Sequence, residues 1–385
     1  MKTRILLLLA CSAASFAAIH FAADKADPAG AGMDAARLAK IPVRMKRFVD
    51  DGKAAGIVTL VARHGHVAGL AAVGYQDREK QIPMRTDSMF QIMSMTKPVT
   101  CAGIMILVDE GELSLIDPVD KYLPEFKGKK ITIRDLMTHT SGVPALPPKG
   151  FDKNSHTLAE VVSAAAQQPL DFEPGSNWSY SNMGIATLGR ITEVVSKQPF
   201  EKFIGDRMFT PLGMKDSHFF LPVEKQGRLA VVYTDDNGTL VRSKDDAYRA
   251  GWKYPMPEGG MYSTASDMAR FYQMMLDKGA LDGHRILSAA AVEVMTSVHT
   301  GDLKTGFAPG LSYGLGWAVV RDPLSMLRFN SKGTFSHGGA YRTYGWVDPG
   351  KDMLGVLMLQ RTNGGGDVAD EINSFLAMSA AAIER

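Results

Sequence analysis

The 385-residue chain holds only two cysteines, Cys11 and Cys101. Cys11 falls in an N-terminal stretch with the marks of a targeting segment, so its removal leaves Cys101 alone. That excludes an intramolecular disulfide framework, and no Cys/His spacing suggests zinc. Charge of one sign is also scarce locally. No run of five like charges occurs, no basic stretch is interleaved with aromatics, and the formal net charge is +2. Nucleic acid is therefore not an expected partner. Past the N-terminus, no stretch approaches the roughly 18 apolar residues that a membrane-spanning helix needs. There is no internal repeat and no low-complexity tract.

What is present is an ordinary globular balance, 45% hydrophobic and 22% charged. The length suits one large domain or two smaller ones. The chain opens "MKTRILLLLACSAASFAAIHFAADK". Lys2 and Arg4 make a positive start, an apolar run follows from Ile5, and small residues come next. This order predicts a signal peptide over about residues 1–23, cut near Ala17 or Ala23, and hence a periplasmic or secreted protein. "LLAC", from Leu8 to Cys11, also resembles a lipoprotein box, which would make Cys11 a lipid anchor. A short non-spanning helix is the bland alternative.

"AGIVTLVARHGHVAGLAAVGYQD" (55–77) reads as a β-hairpin turning at His64-Gly65-His66, with the two histidines as turn residues rather than metal ligands. "TKPVTCAGIMILVDEGEL" (96–113) reads as a helix. Pro98 is tolerated only in a first helical turn, so that helix starts close to Ser94. Cys101 within it reads as core filler. Residues 111 to 250 are helical and loop-rich. Capped helix 263–279 follows, with Ser263 or Ser266 as N-cap, then strands over 312–320, 333–339, 343–349 and 353–361, and a closing helix over 367–383. Strands thus sit at both chain ends and helices between them. The expected fold is α/β (α+β): an antiparallel sheet built from both ends (about 36–110 and 255–385), flanked by helices, with a helical lobe over about 111–254.

Ser94 and Lys97 are three apart, and residues i and i+3 of a helix share a face. A serine hydroxyl is a weak nucleophile and needs a base. Lysine becomes one only if burial or a second cation lowers its pKa. Ser-x-x-Lys by itself is weak, since about one chance match is expected in a chain of this length. Two further clusters add weight. "WSYSNMG" offers Tyr180 as a proton relay and Asn182 as a hydrogen-bonding partner of a lysine or an acyl group. "FSHGGAYR" places His337, Gly338 and Gly339 at a strand end, where a substrate can approach the backbone and an N–H can face an oxyanion. "LMTHTSGV", with His139 and Ser141, is a polar turn able to buttress a site, though a plain helix end accounts for it as well.

Ser94-Met-Thr-Lys97, Tyr180-Ser-Asn182 and His337-Gly338-Gly339, together with "LMTHTSG", "GGMYSTASDMARF" and "YGLGW", resemble the serine β-lactamases of class C, the DD-peptidases and, most closely, the family VIII carboxylesterases. The resemblance runs from about residue 40 to 380. It implies Ser94 as acylated nucleophile, Lys97 as base, Tyr180 as relay, and an oxyanion hole from the N–H groups of Ser94 and Ala340. Asn182, His337, Gly338 and Gly339 then line the substrate. It implies a small ester or amide substrate, with no metal and no cofactor. The lactamase pattern usually has Lys-Thr-Gly as its third element. A histidine there is only partly cationic at neutral pH, so carboxylate recognition should weaken.

Three matches are set aside. Lys304-Thr-Gly306 precedes "YGLGW" and sits in a loop. Ser312 in "GLSYG" lacks the strand-then-helix setting of a nucleophile elbow. "TNGGGDV" (362–368) lacks the Lys-Ser/Thr of a phosphate loop. The leading expectation is hydrolysis of small carboxylic esters. The alternatives are β-lactamase or D-alanyl-D-alanine carboxypeptidase activity, and, third, a penicillin-recognition-like module that binds without turnover.

Overall fold

Two apolar runs separated by His64-Gly65 can only turn back tightly if both residues adopt left-handed φ, and they do, at +54° and +74°. The computed structural model describes residues 21–244, 247–306, 308–326, 329–362 and 369–384. The expected signal segment up to residue 20, Cys11 and the 363–368 turn lie outside the described residues.

In chain order, α1 (Ala35–Leu38) and α2 (Lys40–Asp50) precede β1 (Gly56–Arg63), β2 (His66–Asp77), β3 (Ile82–Pro83) and β4 (Phe90–Gln91). A central helix α3 (Thr96–Asp109) follows, then α4 (Ile133–Met137), α5 (Leu158–Ala166), α6 (Asn182–Ser196) and α7 (Phe200–Ile204). A small hairpin, β5 (Tyr233–Asp236) with β6 (Thr239–Arg242), leads to β7 (Tyr262–Ser263), which pairs with β4. Next come α8 (Ala265–Leu276), the hairpin β8 (Ala280–Leu281) and β9 (His284–Arg285), and α9 (Ala289–Thr296). The chain ends through β10 (Leu311–Tyr313), β11 (Ala318–Val320), α10 (Pro323–Met326), β12 (Phe335–Gly338), β13 (Tyr344–Asp348), β14 (Met353–Met358) and α11 (Asp370–Ala381).

The main sheet has eight strands in the order β10-β11-β12-β13-β14-β1-β2-β3. All its pairings are antiparallel, and the two chain ends meet where Val58 of β1 faces Met358 of β14. Side chains alternate across a strand. Along β1, Val58, Leu60 and Ala62 enter the core shared with α3 and α8, while Ile57 and Val61 enter a second core with Met45, Phe48 and Phe375 of α2 and α11. The sheet is therefore covered on both faces, and α3 lies in the larger core beneath the helical lobe. The two turn histidines each meet an aspartate instead of each other: His64 Nδ1 is 2.6 Å from Asp352 and His66 Nδ1 is 3.3 Å from Asp27.

Two local expectations are corrected. Residues 312–320 are not one strand. They form the tight pair β10 and β11, with Gly316 at φ +81° in the turn between them. A Cβ at Gly316 would come within 2.6 Å of Cys101 Sγ, so this turn packs directly on α3. The N-cap of α8 is Thr264, whose hydroxyl accepts from the Asp267 N–H at 3.2 Å. Ser263 instead faces Ser217, and Ser266 donates to the Ala23 carbonyl. Both serines sit one or two residues away from the one position whose hydroxyl reaches a free helix donor.

Candidate active site

Ser94 lies in a single 3-10 turn, Met93–Met95, that runs straight into α3. Met93 just before it has φ +50°, a region that non-glycine residues rarely occupy. Lys97 is the second residue of α3 and Pro98 the third, so the proline sits where no helical N–H is required. The Lys97 side chain is fully buried. Its ammonium donates to Ser94 Oγ at 3.0 Å and to the Glu258 carbonyl at 2.6 Å. Burial drives the Lys97 pKa down to about 7; the Glu258 carboxylate opposes that shift and Lys153 adds to it.

The Glu258 carbonyl is held in place by α3 itself. Thr96 Oγ1 accepts from the Met261 N–H at 3.2 Å and donates to the Met93 carbonyl at 2.6 Å. Thr100 Oγ1 donates to the Pro257 carbonyl at 2.6 Å. Segment 257–261 is thus stitched along the buried face on which Lys97 projects.

Tyr180 enters from the helical lobe. It precedes Ser181, the N-cap of α6, whose hydroxyl accepts from the Gly184 N–H and donates to the Pro144 carbonyl. The Ser181 N–H donates to His139 Nδ1 at 3.1 Å. That bond places the His139 proton on Nε2, and burial holds the ring well below the usual histidine pKa. His139 packs against the Tyr180 ring at 4.5 Å between centroids. Lys97 Nζ lies 4.6 Å from the centre of the same ring. Asn182 opens α6 and is half-buried. Among the described residues, the Lys97 ammonium bonds Ser94 and Glu258 and not Asn182, which leaves the acyl group as the other partner foreseen for Asn182.

The third wall is β12, which packs on the Ser94 turn. A Cβ at Gly339 would lie 2.3 Å from the Ile92 carbonyl, and Thr343 Oγ1 donates to that carbonyl at 2.8 Å. Only glycine permits so close an approach. The strand end is thereby clamped to the residue two before Ser94. Among the described residues, the N–H groups of Ser94 and of exposed Ala340 make no hydrogen bond. The first donors of a helix are left free in this way.

His337 departs from expectation. It is buried, and burial followed by the nearby Lys97 charge pushes its pKa down to about 3. Its Nδ1 lies 2.7 Å from the Gly338 carbonyl, an acceptor only, so Nδ1 carries the proton. Nε2 then accepts from the Tyr313 hydroxyl at 3.2 Å. The ring is neutral at physiological pH, not partly cationic. Gly338 pairs with Tyr344 in the sheet.

Four residues that the linear motifs do not single out complete the site. Glu258 is buried, and the Tyr254 hydroxyl donates to its carboxylate at 2.7 Å. Tyr313 meets His337 and lies 5.0 Å from the His139 ring, with Trp178 at 5.7 Å. The glycine pairs in "PEGGM" and "YGLGW" are the signals that could have drawn attention to Glu258 and Tyr313. The decoys stay apart: Lys304 lies in the loop before β10, and Ser312 is a buried strand residue opposite Val319.

A serine, a buried lysine and a tyrosine ring at one mouth, on a large antiparallel sheet with a helical lobe, define a β-lactamase-like hydrolase. The chain belongs to the Beta-lactamase family, whose model matches residues 44–377. It is 30% identical over 381 residues to Esterase EstB of Burkholderia gladioli, covering 88% of this chain and 93% of the esterase. Penicillin-binding protein 4 of Amycolatopsis lactamdurans is 34% identical over 306 residues, covering 76% of this chain and 77% of that one. Among solved structures, "EstCE1, a hydrolase with promiscuous acyltransferase activity" superposes with a TM-score of 0.80 at 25% identity, covering 91% of this chain and 99% of EstCE1.

Proposed function

We propose that the protein hydrolyses small carboxylic esters through an acyl-enzyme on Ser94. The observation that carries this reading is the buried Lys97 amine 3.0 Å from Ser94 Oγ, with a pKa near 7. The neutral amine takes the Ser94 proton as Oγ attacks the ester carbon. The resulting oxyanion is met by the Ser94 and Ala340 N–H groups. The C–O bond to the alcohol then breaks, and Tyr180 passes a proton to the departing oxygen. Lys97 hands the proton it took from Ser94 to Tyr180, which restores both groups. Water then attacks the acyl-Ser94 carbon. Its proton passes through Tyr180 to Lys97 and on to Ser94 Oγ as the acyl C–O bond breaks, and the acid leaves. The neutral His337–Tyr313 pair presents no cation where a lactamase or peptidase would hold a substrate carboxylate, which favours esters. Similarity to EstB supports the same choice.

The test is a p-nitrophenyl acyl series beside a chromogenic cephalosporin and a D-alanyl-D-alanine peptide. Ester turnover should exceed lactam or peptide turnover. Fast cephalosporin hydrolysis with poor ester hydrolysis would transfer the site to the alternative β-lactamase reading, and binding with no turnover to the binding-module reading.

The pH profile gives a second, sharper check. Only the neutral amine of Lys97 can act as base, so kcat/KM should fall about tenfold per pH unit below an apparent pKa of about 7 and level off above it. The Glu258 carboxylate raises that pKa. Glu258→Gln should therefore move the acid limb to lower pH. A limb that stays in place, or moves up, rejects Lys97 as the titrating base.

A further inference from the structure

A lysine that works as a neutral amine creates a difficulty for the acid beside it. Glu258 is buried, and the Tyr254 hydroxyl donates to its Oε2 at 2.7 Å. Its Oε1 is closed to solvent and, among the described residues, accepts no hydrogen bond. A buried carboxylate is poorly tolerated without a cation. While Lys97 carries its proton it supplies one, from the ammonium that also bonds the Glu258 carbonyl. Once Lys97 is the neutral base, that compensation is gone.

The cation that remains is Lys153. Its Nζ lies 3.8 Å from Glu258 Oε1 and 5.9 Å from the centre of the Tyr254 ring. A separation of 3.8 Å is an ion pair and not a hydrogen bond, in keeping with an Oε1 that has no donor. Lys153 opens the 3-10 turn Lys153–Ser155, which Asp152 caps by accepting from the Asn154 N–H at 3.0 Å. Its side chain is 29% exposed against 3% for that of Glu258. The apolar stem therefore reaches from the surface of the helical lobe towards the carboxylate while the ammonium keeps contact with water. Of the two lysines at Glu258, the dry one gives up its proton to act as base and the wet one stays as partner.

The other titratable groups here cannot take this part. Burial holds His139 and His337 neutral, and it pushes the Cys101 thiol and the Tyr254 hydroxyl up, so both keep their protons. Tyr180 meets the Lys97 ammonium through its ring. Arg249, whose charge also acts on Tyr254, is bonded to the Phe219 and Gly260 carbonyls and the Tyr262 hydroxyl.

We propose that Lys153 is the counter-ion of Glu258 in the reactive state, a positioning residue that keeps the site electrically balanced while Lys97 acts as base. Glu258 draws the Lys153 ammonium inward, and that ammonium lowers the cost of a deprotonated Lys97. The proposal rests on the reading of Lys97 as base.

The experiment is the pH dependence of kcat/KM on a p-nitrophenyl ester, measured for the full chain and its Lys153 variants. In Lys153→Met the proton on Lys97 becomes the compensating charge, so the acid limb should move up by about half a pH unit. Turnover near pH 6 should then fall about threefold, while the alkaline plateau stays within about twofold of native. Lys153→Glu should move the limb about twice as far, and Lys153→Arg, which keeps the charge, should restore the native position. In a Glu258→Gln background the ammonium is no longer drawn inward, so the shift caused by Lys153→Met should shrink to less than about half. A uniform loss at every pH, a limb that moves down, or an equal shift with and without the Glu258 carboxylate would each overturn the assignment. A native acid limb that Lys153→Met leaves in place would reject the counter-ion alone. A native profile with no acid limb would reject Lys97 as base, and its counter-ion with it.

Discussion

Ser94→Ala should lower ester kcat/KM by about 10⁴-fold or more while leaving the fold nearly as stable. The loss is large because, among the described residues, the Lys97 ammonium bonds no other hydroxyl or thiol: its second partner is the Glu258 backbone carbonyl, and Cys101, one turn along α3, is fully buried. What survives should be the modest effect of the two free N–H groups on a bound ester. Stability should change by only about 1 kcal/mol, since the half-buried hydroxyl contributes one hydrogen bond. A slow ester should leave its acyl mass on the native protein and none on the variant, read by intact-mass spectrometry. Turnover within tenfold of native, or an acyl adduct on another residue, would remove Ser94 from the mechanism.

Lys97→Met should have two effects of opposite benefit: turnover lost by a comparable factor, and a more stable protein at neutral pH. The sign follows from linkage. Lys97 has a folded pKa of about 7 against about 10.4 for a free lysine. Between those values the unfolded chain binds a proton that the folded chain does not, so native stability rises with pH there, by at most ~1.4 kcal/mol per unit. Below pH 7 both states are protonated and the full penalty of burying the charge, about 5 kcal/mol at most, is present. Methionine removes that penalty but strands the Glu258 carbonyl and leaves its carboxylate without a cation at Lys97, returning about 1–3 kcal/mol. The variant should therefore be more stable by about 2 kcal/mol at pH 6–7, with the difference shrinking towards pH 10. Urea denaturation across that range reads it. A stability difference independent of pH would mean that Lys97 is not the depressed lysine.

The parts of the site that were legible in the sequence are those whose geometry is local. Pro98 shows where α3 begins, and spacing alone puts Lys97 on the face of Ser94. The antiparallel sheet from both chain ends could be read from strands at 55–77 and after 310 with helices between. What could not be read depends on proximity across the chain. Glu258 touches Lys97 from 161 residues away. The depressed charge of His337 comes from its burial behind Tyr313, which "SHGG" does not disclose. The tight β10–β11 turn was hidden because "YGLGW" lacks the Asn, Asp or Pro of an obvious turn, and glycine is required at 316 both by its φ of +81° and by the close approach of Cys101.

The neutral state of His337 ties two properties of the enzyme together. Burial comes first in keeping the histidine unprotonated and the Lys97 charge second, and the influence of one cation on the other runs both ways. A fixed cation at position 337, suited to gripping a substrate carboxylate, would repel the proton on Lys97 and make the lysine a weaker base that is free at lower pH. Substrate choice and working pH are therefore not separate dials in this active site. A lineage that changed the residue at 337 would shift both at once, and would have to retune Glu258 to move one alone.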